Sequence, residues 1–163
     1  MTVVIADTSP INYLILIGEI AILPALYGRV IIPPEVIAEL TDPGSPLAVG
    51  EWARVLPEWL EVRASALPYD ETLLQLDPGE RAAISLAEQE SEVLLLIDDA
   101  AGRAEANRRG LPNTGTLGII RAAGVRKLLD VPSALRRLAS TNFRVSQALL
   151  QALLAEHSRR GQD

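Results

Sequence analysis

Short runs of branched apolar residues alternate along the chain with longer stretches in which apolar positions recur every three to four residues. The short runs predict strands at 2–6 (TVVIA), 29–32 (RVII), 60–63 (LEVR) and 93–97 (VLLLI), with a weaker fifth near 112–115. The longer stretches predict helices over 10–17, 34–40, 78–90, 100–109, 116–123, 132–140 and 146–158. The punctuation agrees with this division. Ser9-Pro10 reads as an N-cap followed by proline at the first helical position. Pro33-Pro34 ends a strand and opens a helix, TDPGSP at 41–46 reads as a loop, and Gly110 reads as a helix stop. No internal repeat or low-complexity segment stands out.

Short apolar strands separated by helices imply parallel βαβ units, with helices on both faces of a sheet. Such sheets bind ligands beyond the carboxyl ends of their strands, where the strand order reverses. Asp7 follows the first strand directly and so falls on that edge. Ser9 is the better placed cap for a helix opening at Pro10, which leaves the Asp7 carboxylate free. Asp98-Asp99 follow VLLLI and repeat the strand-then-acid arrangement. One of that pair can cap the helix from Ala100, and both are not needed for it. Glu39 lies late in the helix after the second strand, with Glu35 four residues earlier on roughly the same face. Glu80 stands in the first turn of a helix, where an acid also favours the helix dipole.

Composition narrows the classes. At 163 residues, 48% of them hydrophobic and 22% charged, the chain suits one globular domain, with or without a C-terminal extension. No cysteine is present, which removes disulfide and thiolate chemistry and fits a cytoplasmic setting. No apolar run approaches the roughly 20 residues of a membrane span, and no basic leader precedes the first strand. The one histidine, His157, sits in a polar tail, so neither a Ser-His-Asp triad nor a histidine-ligated zinc site is expected. Neither GxGxxG nor GxxxxGK[ST] occurs. Trp52 and Trp59, seven apart, read as core residues of one helical stretch rather than a base-stacking platform. Charge is divided unevenly. Residues 1–99 hold 17 acidic and 4 basic side chains, and residues 100–163 hold 4 acidic and 11 basic ones. Either solvated helix faces or an acidic metal pocket beside a basic, phosphate-holding surface accounts for that split.

Carboxylates converging in one cleft repel each other unless a hard divalent cation lies among them. Mg²⁺ or Mn²⁺ fits oxygen ligands and bridges carboxylates to a substrate phosphate. A receiver domain or an aspartyl phosphotransferase also places an aspartate after its first strand, but needs a lysine late in the chain. Lys127 is the sole lysine.

Four segments carry a resemblance to a known family: VIADTSPINYLILIGEIAILPALYGRVIIPPEVIAEL, LDPGERAAISLA, LLLIDDAAGRAEANRRGL and TGTLGIIRAAG. In order and spacing they resemble the PIN domain, and more narrowly the small prokaryotic PIN proteins with DTSP, GExxAI and DDxxxR motifs. The resemblance covers about residues 2–140. It implies a three-layer α/β/α fold around a parallel sheet of four to five strands, a nuclease domain over 1–140 and a helical extension over 141–163. It further implies a Mg²⁺- or Mn²⁺-dependent endoribonuclease, the toxin of a toxin–antitoxin pair; the alternative is a non-catalytic module of the same fold that binds nucleic acid or protein. Carried over by position, Asp7 is the first acid, Glu39 the second and Glu80 the third, where the family more often has aspartate. The fourth is Asp98 or Asp99. Asp7 with Asp98 or Asp99 is expected to hold the metal, while Glu39 and Glu80 complete the site or orient water. Ser9, Arg103, Thr114 and Thr116 are the expected substrate-side residues, with Arg103 one turn into its helix and within reach of a phosphate. The expected partners are RNA, a cognate antitoxin and a second copy of the chain, the last through an apolar stripe at Leu149, Leu150, Leu153 and Leu154.

Overall fold

Val3–Ala6 forms β1, the middle strand of a five-stranded parallel sheet in the computed structural model, which describes residues 1–66 and 70–161. The last two residues of the C-terminal segment lie outside the described residues. From β1 the chain runs through α1 (Thr8–Leu16) and α2 (Ile22–Tyr27) to β2 (Val30–Ile32). It continues through α3 (Pro34–Leu40) and α4 (Leu47–Ala53) to β3 (Leu60–Val62). A 3₁₀ turn at Glu71–Gln75 and α5 (Pro78–Glu88) lead to β4 (Val93–Leu96), and α6 (Ala100–Arg108) leads to β5 (Asn113–Thr114). α7 (Thr116–Val125), α8 (Val131–Ala139) and α9 (Gln147–Arg160) follow.

The strand order is β3-β2-β1-β4-β5. β1 pairs with β4 residue for residue, from Val3 opposite Val93 to Ala6 opposite Leu96, and with β2 through Ile5 and Ile31. The order therefore reverses between β1 and β4, and the two acids that follow these strands emerge side by side.

Successive strand residues point to opposite faces, and both faces are covered. Val4, Ala6, Val30, Ile32 and Leu96 join one core with α1, α2, α3, α4, α7 and α8. Ile5, Ile31, Val93, Leu95 and Ile97 join a second core with α5 and α6. The result is a three-layer α/β/α arrangement around an all-parallel sheet, the fold that the resemblance implied. Full burial of a leucine or isoleucine contributes roughly 1.5–3 kcal/mol, so the two cores hold the site from both sides.

Four local features differ from the sequence pattern. α1 begins at Thr8, with Asp7 rather than Ser9 in the N-cap position. Pro10 fits the third position of α1 because the first-turn N–H groups have no intrahelical partner. α2 and α4 lack a clean periodic signal, since Pro24 lies inside one and Gly50 inside the other. Trp52 and Trp59 do not share a helix: α4 ends at Ala53, and Trp59 lies beyond Pro57, just before β3. Their rings still meet at 6.2 Å and pack on the core. Finally, Leu150, Leu153 and Leu154 of α9 lie against the chain's own core, and only Leu149, 46% exposed, remains of that apolar stripe.

Candidate metal centre

Beyond the carboxyl ends of β1 and β4 opens a cleft of about 870 Å³, lined by Asp7, Glu39, Asp77, Glu80, Asp98 and Asp99 among others. Each carboxylate reaches it from a different element.

Asp7 continues β1, and its N–H donates to the Leu96 carbonyl at 2.9 Å. Its side chain makes no capping hydrogen bond to α1. The residue is 4% exposed, and Oδ1 is buried without a hydrogen-bond partner among the described residues. Burial above all, then the charges of Asp77, Glu39 and Asp98, push the carboxyl up to about 8 against the lowering effect of the Thr8 N–H.

Glu39 comes from the last turn of α3. Its Oε2 accepts from the Thr8 hydroxyl, and its Oε1 accepts from the Gly79 N–H at 3.0 Å. Glu35 does not line the cleft. A β-carbon built on Gly79 lies 2.8 Å from both Glu39 oxygens and 2.9 Å from Asp7 Oδ1, so any larger residue there would displace those carboxylates.

Asp77 and Glu80 both come from the start of α5. Asp77 is the N-cap, with Oδ1 accepting from the Glu80 N–H at 2.9 Å. Glu80 is 6% exposed, and burial, followed by the charge of Asp77, holds its carboxyl well above the usual range. Among the described residues, one carboxylate oxygen from each of Asp7, Glu39 and Asp77 lies within 4.8 Å of the other two. Asp77 carries no sequence expectation, although Asp-Pro at a helix start places that carboxylate one turn from Glu80.

Asp98 and Asp99 line the same cleft outside that trio and divide their tasks. Asp99 caps α6, with Oδ2 accepting from the Gly102 N–H at 3.0 Å. Asp98 accepts from the Thr116 N–H through Oδ1 and from the Thr116 hydroxyl through Oδ2, both at 2.7 Å. Thr8 and Ser9 also line the cleft. Thr116 is fully buried and reaches the site through Asp98. Thr114 and Arg103 do not line it. Thr114 Oγ1 lies against Gly118, and Arg103 is exposed, its Nε donating to Asn113 Oδ1 at 3.2 Å. Asn12, Tyr13, Asn142, Phe143 and Arg144 line the cleft with no sequence expectation attached to them.

An all-oxygen donor set, a buried carboxyl oxygen with no partner and mutually repelling neighbours together fit a hard divalent cation. A parallel α/β sheet with such a cleft at its switch point defines the class. The chain belongs to the PIN-domain family, whose model matches residues 3–159. No curated protein matches it. Among the described residues no helix is long and apolar enough to cross a membrane.

Proposed function

We propose that the protein is a Mg²⁺- or Mn²⁺-dependent endoribonuclease, the toxin of a toxin–antitoxin pair, acting on RNA phosphodiesters. The observation that carries this reading is the partnerless Asp7 Oδ1, buried against the Glu39 and Asp77 carboxylates. Asp7, Glu39 and Asp77 would hold the cation, which when bound polarises a phosphoryl oxygen and makes water more acidic. The chain's own residues fix the geometry. Thr8 and the Gly79 amide orient Glu39, and Thr116 holds both oxygens of Asp98. Glu80 keeps its proton nearer neutrality than an ordinary carboxyl does and is the proton carrier of this reading. Membership of the PIN-domain family supports a nuclease. The antitoxin is the protein partner that this function requires.

The test is direct. Purified protein with Mn²⁺ cuts single-stranded RNA, EDTA stops it, and Asp7→Asn abolishes cutting. An RNA panel that stays intact while Mn²⁺ binds saturably replaces this reading with that of a non-catalytic binding module.

A further inference from the structure

The cleft has a wall that its carboxylates do not account for. Residues 141–145 run between α8 and α9 and bring Asn142, Phe143 and Arg144 to line it beside Asn12 and Tyr13 of α1. This strap is tied down at several points. The Tyr13 hydroxyl donates to Asn142 Oδ1 at 2.8 Å, and the Tyr13 and Phe143 rings meet edge to face at 4.9 Å. The Thr141 hydroxyl donates to the Leu138 carbonyl at 2.6 Å and accepts from the Phe143 N–H at 3.2 Å. Arg144 alone is left open. Among the described residues it is the one basic side chain lining the cleft; it is exposed and takes part in no ion pair.

A cleft lined with carboxylates repels a polyanion everywhere except where cations offset them. A metal offsets the charge at one point only. A second phosphate of the same strand needs its own cation, and Arg144 is the side chain available for it. A guanidinium meets phosphate oxygens in a bidentate fork. An aromatic ring beside it offers a stacking surface for an unpaired base, whatever its sequence.

We propose that Asn142–Arg144, fixed by Tyr13, form the subsite for a nucleotide flanking the cut in a single-stranded RNA, with Arg144 on its phosphate and Phe143 against its base. This rests on the ribonuclease reading and assigns to Arg144 the phosphate contact that the sequence pattern gave to Arg103.

The test measures binding, without turnover, by fluorescence anisotropy of a labelled single-stranded RNA decamer in Ca²⁺. Arg144→Ala weakens binding about tenfold and lowers the slope of log affinity against log salt by about one. Arg144→Glu weakens it further, and Arg144→Lys recovers part of the loss. Phe143→Leu, which keeps most of the packing volume, weakens binding roughly fivefold while leaving the salt slope unchanged. Because Arg144 is exposed and in no ion pair among the described residues, its variants melt with the wild type. If the wild type binds and cuts RNA but Arg144→Ala matches it in affinity and salt slope, the subsite is overturned and the ribonuclease reading stands. If the wild type binds Mn²⁺ but no RNA, the ribonuclease reading falls and takes the subsite with it.

Discussion

Thr116 grips both oxygens of Asp98, one through its backbone N–H and one through its hydroxyl, each at 2.7 Å. Gly115, the N-cap of α7, has no side chain to satisfy the helix start, so Asp98, from the end of the neighbouring strand β4, serves as its cap. One carboxylate thus joins the end of β4 to the first turn of α7. Thr116→Val keeps the shape and removes the hydroxyl. A hydrogen bond to a charged group contributes roughly 1.5–3 kcal/mol, so urea denaturation should show a loss of that order with the fold retained. A loss below about 0.5 kcal/mol would show the hydroxyl contact to be incidental.

The Asp7 carboxyl predicts an unusual pH dependence. Its folded value of about 8 exceeds its ordinary 3.8. Below the lower value both folded and unfolded chains are protonated, and the contribution to stability is complete. Between the two values the unfolded chain has released a proton that the folded chain keeps, so the stability of the cation-free protein falls as pH rises through that window. Asp7→Asn removes this loss. In EDTA at pH 8.5 the variant should melt roughly 2–6 °C above the wild type, and the gap should close toward pH 5. The same variant should bind Mn²⁺ at least tenfold more weakly, about 1.4 kcal/mol. A variant that melts lower at pH 8.5 would refute the burial argument.

Gly79→Ala separates helix stability from site integrity. Alanine is favoured over glycine inside a helix by roughly 1 kcal/mol, which alone predicts a more stable α5. The added methyl, however, meets Glu39 and Asp7 oxygens under 3.0 Å, so Glu39 must swing away and give up its bond to the Gly79 amide. The expected outcome by calorimetry is a melting temperature within about 3 °C of wild type and Mn²⁺ affinity reduced at least about tenfold. Undiminished Mn²⁺ binding would place the cation away from Glu39 and Asp7.

These residues also show what was legible before the fold. Two apolar runs each ended by aspartate pointed to one sheet edge, and the strand order puts Asp7 and Asp98 side by side there. Local spacing sufficed for that because β1 and β4 carry their acids at equivalent strand ends. Thr116 as the holder of Asp98 was not legible in the same sense, since the contact spans 18 positions and depends on how β5 returns beside β4. Arg144 was hidden for a related reason: only the packing of Tyr13 on Phe143, across the whole chain, brings the strap to the cleft. α2 and α4 escaped because each is under two turns long and interrupted by proline or glycine.

Arg109 lies far from the carboxylate cleft along α6, yet it bears on how Asp77 is delivered there. Its guanidinium, 14% exposed, bonds Glu105 at 2.7 Å, Glu88 at 2.5 Å and the Thr72 hydroxyl at 2.6 Å, and reaches Asp70 at 3.5 Å. It thereby fastens α6 to α5 and to the 3₁₀ turn that runs into Asp77. Glu105 is itself buried, so among the described residues removing Arg109 leaves that carboxylate only the more exposed Arg108. Breaking a buried pair from one side costs about 3–5 kcal/mol; the remaining Arg108 contact argues for the lower end. Arg109→Met, which preserves the apolar stem, should lower stability by about 3 kcal/mol in urea. The loss should persist in 1 M salt, where exposed pairs are screened out. With the turn loosened, Mn²⁺ affinity should fall severalfold, because Asp77 must then be ordered on binding. Arg108→Met, which leaves the Arg109 contacts intact, should change stability by less than about 1 kcal/mol. Equal losses in the two variants would show that the Arg109 network does not position the turn.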